Sequence, residues 1–323
     1  MRRVTITTGA RLHFGLLCPP PSVERVFGGI GLMIDQPGFQ VVLQTAETTR
    51  ITAPPEVKER IRVFVRQSAS QPTDSQSAVH IEVRQHIPSH SGLGSGTQLG
   101  MAIGRGLAEL HGVEYSAVEL AGRMGRGHRS AIGIHGFQRG GFIVDAGKTS
   151  DRRIGELASR LEWPDDWPIV LITLDQSAGL SGDAENAAFK TLAPMTEELI
   201  GQLGSIIENQ IVPSLTHRRQ SDFCTALDQY GDLVGDYFGP AQGGRYADLR
   251  MRRLVAELRR QKGAGIAQSS WGPTVCVVCQ NQQHANEIIE HIQSTSFEGH
   301  ARIVSGLNHG ATCEHSESLA TQR

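Results

Sequence analysis

The sequence has no unbroken run of eighteen apolar residues, and its first residues lack the apolar core of a signal peptide. Length alone therefore excludes a membrane-spanning helix, and a soluble, cytoplasmic protein is the expectation. Charge of one sign is also scarce. Lys and Arg number 31 against 33 Asp and Glu, a formal net charge of −2, so there is no broad electrostatic ground for nucleic acid or an anionic membrane. The basic run Arg250, Arg252, Arg253, Arg259 and Arg260 reads as the solvated face of an amphipathic helix whose buried side is Leu249, Leu254, Val255 and Leu258. Five cysteines in 323 residues do not make a disulfide framework. Cys276 and Cys279 stand in a β-branched, apolar run with no second ligand pair nearby, which suits a core strand rather than zinc or redox chemistry.

Two further absences concern the glycine-rich stretch Ile87-Pro-Ser-His-Ser-Gly-Leu-Gly-Ser-Gly-Thr-Gln98. It lacks the Gly-Lys-Ser/Thr ending of a Walker A loop. Asp and Glu are missing from residues 83–108, so no acidic residue stands where a dinucleotide-binding unit would hold a ribose. What is present is a loop between two regular patterns. Val79, Ile81 and Val83 alternate with polar residues, as in a half-buried strand. Leu99, Ile103, Leu107 and Leu110 recur as one face of a helix. Gly92, Gly94 and Gly96 permit tight turns and close approach, and the N–H groups at a helix start suit an anion. The loop is a candidate phosphate cradle.

Strands are expected at 4–8, 39–44 and 78–83, before the loop. Ser116-Ala-Val-Glu119 opens a capping-box helix through Met124, and Gly140-Gly-Phe-Ile-Val-Asp145 bends into a strand. Trp163-Pro-Asp-Asp-Trp-Pro168 breaks the chain, and a new strand begins at Ile169. Helical patterns follow at 194–211, 215–235 and 247–261, then a strand at 273–279, a helix at 284–293 and a strand near 300–304. Strands and helices mix without regular βαβ alternation, so the class is α+β, divided into residues 1–165 and 166–323.

Four other segments carry more glycine and polar residues than structure alone needs. They are Thr8-Gly-Ala-Arg-Leu-His-Phe-Gly-Leu16 with Gly28-Gly-Ile-Gly31; Gly125-Arg-Gly-His-Arg-Ser-Ala-Ile-Gly133; Gly179-Leu-Ser-Gly-Asp-Ala-Glu185; and Gln268-Ser-Ser-Trp-Gly-Pro-Thr274. With Pro88-Ser-His-Ser-Gly-Leu-Gly-Ser-Gly96, this set resembles the superfamily of small-molecule kinases named for galactose, homoserine, mevalonate and phosphomevalonate. The resemblance implies a two-domain fold: an N-terminal α+β domain with the phosphate loop, and a ferredoxin-like α+β C-terminal domain. It departs from the kinases in three places. The loop's second serine is Gly96, the catalytic aspartate position of several of these kinases is Gly133, and the C-terminal motif has lost its run of glycines. An acceptor hydroxyl cannot be deprotonated by glycine.

The combination of Arg11-Leu-His-Phe-Gly15 with Ser269-Ser-Trp-Gly-Pro273 is similar to one branch, the β-ribofuranosylaminobenzene 5′-phosphate synthase family of methanopterin biosynthesis. That resemblance implies condensation of phosphoribosyl pyrophosphate with 4-aminobenzoate or 4-hydroxybenzoate, with loss of carbon dioxide and pyrophosphate. Residues Ser91, Gly92, Leu93, Gly94, Ser95, Gly96 and Thr97 are then expected at the phosphates, with Ser95 or Thr97 also able to touch a Mg²⁺. Arg11 suits a carboxylate or phosphate. His13 suits proton handling or polarisation of the ring substituent, and Asp145 or Glu185 stabilisation of an oxocarbenium-like sugar. Trp271 suits stacking on the benzoate. Arg126 and His128, beside Arg129, together with Ser181, Ser269 and Ser270, complete the expected substrate contacts. A homodimer is expected. The alternatives are an ATP-dependent kinase with its carboxylate elsewhere, for instance at Asp145, and a non-catalytic protein that binds a phosphate metabolite.

Overall fold

The computed structural model describes residues 2–20, 22–69, 78–175, 182–262 and 265–317. The first half is built on a long hairpin, β1 (Arg2–Leu16) with β2 (Gly29–Thr45). Along β1 the burial alternates as far as Thr7 and is then nearly continuous through Leu16, because later helices cover both faces there. The β1–β2 register shifts between His13 and Gly15, a bulge of the kind that re-aims a side chain beside a site. β3 (Arg50–Thr52), α1 (Pro55–Ala69) and β4 (Val79–Gln85) follow.

The loop then opens α2 (Ser95–His111), whose N-cap is Gly94 in the left-handed conformation. The expected apolar face is buried, and so are Met101 and Ala102, since α2 lies on the sheet beneath a layer of other helices. α3 (Ala117–Arg123) carries the capping box: Ser116 Oγ accepts from the Glu119 N–H, and the Glu119 carboxylate accepts from the Ser116 N–H. Next come α4 (Ile132–Arg139), β5 (Phe142–Asp145) and β6 (Leu157–Leu161).

The second half begins with β7 (Ile169–Leu174), as expected, followed by α5 (Gly182–Thr191) and α6 (Glu197–Ile206). A π-turn at Ile207–Ile211 leads into α7 (Val212–Thr216) and the long α8 (Gln220–Gln242). The chain continues through α9 (Leu249–Lys262), β8 (Gly265–Gln268), β9 (Val275–Val278), α10 (Gln282–Ser294), β10 (Gly299–Val304) and β11 (Thr312–Glu317).

Among the described residues there are two sheets. The second has the order β10-β7-β9-β8, and with α8, α9 and α10 it makes the βαββαβ pattern of a ferredoxin-like unit. Cys276 and Cys279 are buried in it, as core strand cysteines. The first sheet runs β11-β1-β2-β4-β3, with β5 and β6 attached to β2. β11 belongs to the first sheet although it comes last in the chain. The division at 165/166 groups it with the second half, but its backbone ladder is with β1, whose outer edge would otherwise be unpaired. A second difference concerns Leu249, expected on the buried side of α9: it is half exposed, at the helix's first position, while Leu254, Val255 and Leu258 are buried. No helix among the described residues is long and apolar enough to cross a membrane.

Candidate active site

The glycine-rich loop before α2 is held in shape by the segment after β8. Ser269 Oγ donates to the Gly92 carbonyl at 2.8 Å and accepts from the His13 N–H at 3.0 Å, while Thr274 Oγ1 donates to the Ser91 carbonyl at 2.7 Å. From β1, Arg11 adds its backbone N–H to the Leu93 carbonyl at 3.1 Å and its Nη1 to the Gly92 carbonyl at 3.0 Å. Gly92 has φ +77°, and a Cβ there would lie 2.5 Å from the Ser269 carbonyl oxygen. Only glycine fits this crossing of two backbones. The Ser-Ser-Trp-Gly-Pro-Thr motif is thus a brace for the loop, not only a binding surface.

The start of α2 gathers positive charge. The Arg60 guanidinium, from α1, donates to Ser89 Oγ at 3.1 Å and to Ser95 Oγ at 3.3 Å. A Cβ on Gly96 would lie 3.1 Å from Arg60 Nη2 and 3.4 Å from Arg126 Nη1. Both guanidinium groups therefore stand over Gly96, and a serine there would crowd them. Burial pushes both arginines below their usual range, and for Arg60 the Arg126 charge adds to the effect. Arg126 lies over the Phe64 ring at 5.1 Å, and its Nε is buried without a hydrogen-bond partner. Two crowded cations at the positive end of a helix are chemically suited to hold an anion.

Beside this pair opens a cavity of about 250 Å³, on the scale of a small metabolite. β1 contributes Arg11, His13, Phe14, Gly15 and Leu16 to it; the loop after α3 contributes Arg126, His128, Arg129 and Ser130. An aromatic wall closes another side. Trp271 meets Phe238 and Phe189 edge to face, at 4.9 and 5.2 Å between ring centres, and the Arg129 guanidinium lies 4.1 Å over Phe189. Trp271 is 5% exposed, so it is built into the wall while still bordering the cavity.

His13 is nearly enclosed, and burial, with Arg11 beside it, holds its pKa well below 6.5. Its Nδ1 accepts from the Gly15 N–H at 3.3 Å, which leaves the hydrogen of the neutral ring on Nε2. His13 is therefore a neutral donor at neutral pH.

The cavity brings together Arg11, His13, Thr97, Arg126, His128, Ser270 and Trp271 of the expected residues. Of the expected phosphate-binding residues only Thr97 is on this lining; Ser91 to Gly96 precede it in the loop, Leu93 with its side chain in the core. Four expected residues need correction or fall elsewhere. Ser269 is fully buried and spent on the loop and β1, so it is a strut and not a substrate contact. Asp145 is buried one residue behind the cavity lining: Oδ2 accepts from the Ala131 N–H at 2.6 Å and from the hydroxyl of Ser130, which lines the cavity, at 3.4 Å, and Oδ1 accepts from the Gly147 N–H at 2.9 Å. Its carboxylate fixes the entry to α4, and although burial raises its pKa, those N–H bonds oppose the rise. Ser181 and the side chain of Glu185 lie outside the described residues.

Sequence reasoning missed Arg60, Phe189 and Phe238. Arg60 is in no motif, and its role arises only because α1 packs on α2, where Gly100 lets Phe64 approach. Among the described residues the cavity lining has no carboxylate, and Ser95 Oγ is already engaged by Arg60. These residues do not by themselves provide the oxygen cage that Mg²⁺ takes.

Comparison with known proteins agrees with this architecture. The model of the GHMP kinases N terminal domain matches residues 57–141, and that of the GHMP kinases C terminal region matches residues 215–298, together just over half of the chain. Among solved structures, mevalonate-3-kinase from Thermoplasma acidophilum aligns with a TM-score of 0.68 at 15% identity, over 98% of this chain and 99% of that one. Homoserine kinase from Cytophaga hutchinsonii aligns at 0.66 and 16% identity, over 97% of each chain. Two curated relatives named beta-ribofuranosylphenol 5′-phosphate synthase are similar over nearly the whole length. The one from Methanothermobacter thermautotrophicus is 28% identical over 95% of this chain and 97% of its own, and the one from Archaeoglobus fulgidus 27% identical over 96% and 99%. By its two domain models, which together match just over half of it, the chain belongs to the GHMP kinase superfamily.

Proposed function

We propose that this protein is a β-ribofuranosylphenol-type 5′-phosphate synthase: it joins phosphoribosyl pyrophosphate to 4-hydroxybenzoate or 4-aminobenzoate and releases carbon dioxide and pyrophosphate. The observation that carries the reading is the pairing, in one cavity, of a cationic set (Arg11, Arg126, Arg129) with an aromatic wall (Phe189, Phe238, Trp271), with no carboxylate on the described lining. A phosphorylated sugar donor needs the first and a benzoate ring the second. The relatives' names point the same way, as does the methanopterin pathway implied by the sequence motifs.

The electron count closes without an external base. The ring carbon bearing the carboxylate bonds to the ribose anomeric carbon as the bond to pyrophosphate oxygen breaks. The carbon–carboxylate bond then breaks, its electrons restore the ring, and carbon dioxide leaves. What this chain supplies is positioning and charge. Arg60 and Arg126 over Gly96 take the pyrophosphate charge as it develops. His13 Nε2–H donates to an oxygen of the benzoate, and Trp271 with Phe238 keeps water from the sugar cation. Asp145 acts at one remove, by fixing the 130–132 turn.

The experiment is incubation of the purified protein with phosphoribosyl pyrophosphate and each benzoate. Equimolar carbon dioxide and pyrophosphate are expected with at least one of them, and release with neither rejects the reading. ATP consumption with an alcohol or sugar acceptor would favour a kinase instead. Light scattering on the same sample reads whether the protein is the expected homodimer.

A further inference from the structure

At the far end of α2, away from the cavity, three side chains of metal-ligating type converge. Glu109 stands in the helix's last turn, and Cys313 and His315, two residues apart on β11, share one face of that strand. Their register partners on β1 are Ile6 and Val4, both buried, so this is the face on which α2 packs. Cys313 Sγ lies 3.6 Å from His315 Nε2, and His315 Nε2 lies 3.3 Å from Glu109 Oε2. All three ligand atoms fall within 4.8 Å of one another.

We infer that Glu109, Cys313 and His315 form a zinc site that pins the edge strand β11 to the C-terminal end of α2. The distances carry the argument. With Zn–S near 2.3 Å and Zn–N and Zn–O near 2.0 Å, tetrahedral angles put sulfur and nitrogen about 3.5 Å apart, and nitrogen and oxygen about 3.3 Å apart. The observed separations match those two edges of the tetrahedron. Thiolate, imidazole and carboxylate together select zinc over magnesium or calcium, and water takes the fourth position. Glu109 also divides its oxygens suitably, because Arg105, one turn earlier, pairs with Oε1 and leaves Oε2 toward His315. The negative end of the α2 dipole favours a cation there. Binding exchanges the thiol proton of Cys313, released to solvent, for a sulfur–zinc bond.

The role inferred for the metal is to hold β11 on the end of α2, although one of its positions is left to water. Ser95 and Glu109 lie about 21 Å apart along α2 at ~1.5 Å per residue, so the metal does not touch the reacting groups. Full-length protein dialysed against a chelator is titrated with Zn²⁺ alone, in competition with a chromophoric chelator, and separately with Co²⁺. One equivalent of zinc per chain, a thiolate-to-cobalt absorption band and a rise in Tm on zinc addition are expected. The cobalt band disappears in Cys313→Ser, and zinc affinity falls by about a hundredfold or more in His315→Ala, since even outer-shell losses cost 10–100-fold. His315 is mostly exposed, so this variant keeps its fold even if the cysteine variant does not. No equimolar zinc binding in the parent protein, a cobalt band that survives Cys313→Ser, or unchanged affinity in His315→Ala would overturn the site.

Discussion

Arg126 illustrates how one residue can serve binding at the expense of stability. Its guanidinium is partly buried, stands beside a second cation, and leaves Nε without a partner. Arg126→Met keeps the packing on Phe64 and removes the charge. The KM for phosphoribosyl pyrophosphate should rise roughly 10–100-fold while the ligand-free protein gains up to about 1 kcal/mol, as when other uncompensated buried charges are replaced by apolar groups. Steady-state kinetics and urea unfolding on the same sample check the opposite signs. His13 makes a second prediction. Its folded pKa lies well below 6.5, so the unfolded chain takes up the proton first as pH falls. The stability tied to neutral His13 is fully present above about pH 6.5 and is lost as pH drops below it. Urea midpoints measured from pH 7.5 to 5 should fall less steeply in His13→Gln than in the parent, and parallel curves would remove His13 from the acid lability.

The loop and its brace make the corresponding case among the elements. Gly92→Ala places a methyl against the Ser269 carbonyl and forces a left-handed conformation on alanine. The conformation alone costs about 1–2 kcal/mol, and the contact must also push the two backbones apart. Synthase activity should drop more than tenfold, with the circular dichroism of the helices retained; unchanged turnover would mean that the brace does not set the loop. What the sequence made legible follows from how local each element is. β7, α3 with its capping box and the buried face of α2 depend on spacing within a few residues, and they stand where expected. α4 is eight residues long and includes Gly133 and Gly136, so its pattern reads as a polar glycine motif. Its start is fixed instead by the Asp145 carboxylate, fourteen positions away. Gly133, where a kinase would carry aspartate, faces Thr97 across the α2–α4 contact, where a Cβ would meet the Thr97 methyl at 3.2 Å. Arg60 and β11 escaped the sequence because only tertiary packing gives them their roles.

Across the whole molecule, the formal charge of −2 conceals a polarised distribution. Arg11, Arg126 and Arg129 border the cavity, and an adjoining hollow that shares Arg126 adds Lys148, Arg153 and Arg152, the last paired with Glu156, against the single carboxylate of Glu24. Such a funnel concentrates a polyanionic substrate. The kcat/KM for phosphoribosyl pyrophosphate should therefore fall several-fold between about 0.02 and 0.2 M salt as the Debye length shortens, while the KM for the singly charged benzoate moves less. Stopped-time assays across that salt range check it. The two sheets are joined near the site, because Ser269 and Thr274 bind the loop of the first half from the second. They are joined again by the last strand, whose ladder matches Arg2 with Glu317 and Thr7 with Thr312. That ladder has a consequence in time. β1 and β11 lie about 300 positions apart along the sequence, so as the chain leaves the ribosome one edge of β1 stays bare until β11 has been made and has folded back onto it. The first sheet then closes by the most sequence-distant contacts in the fold, a step expected to come late and slowly.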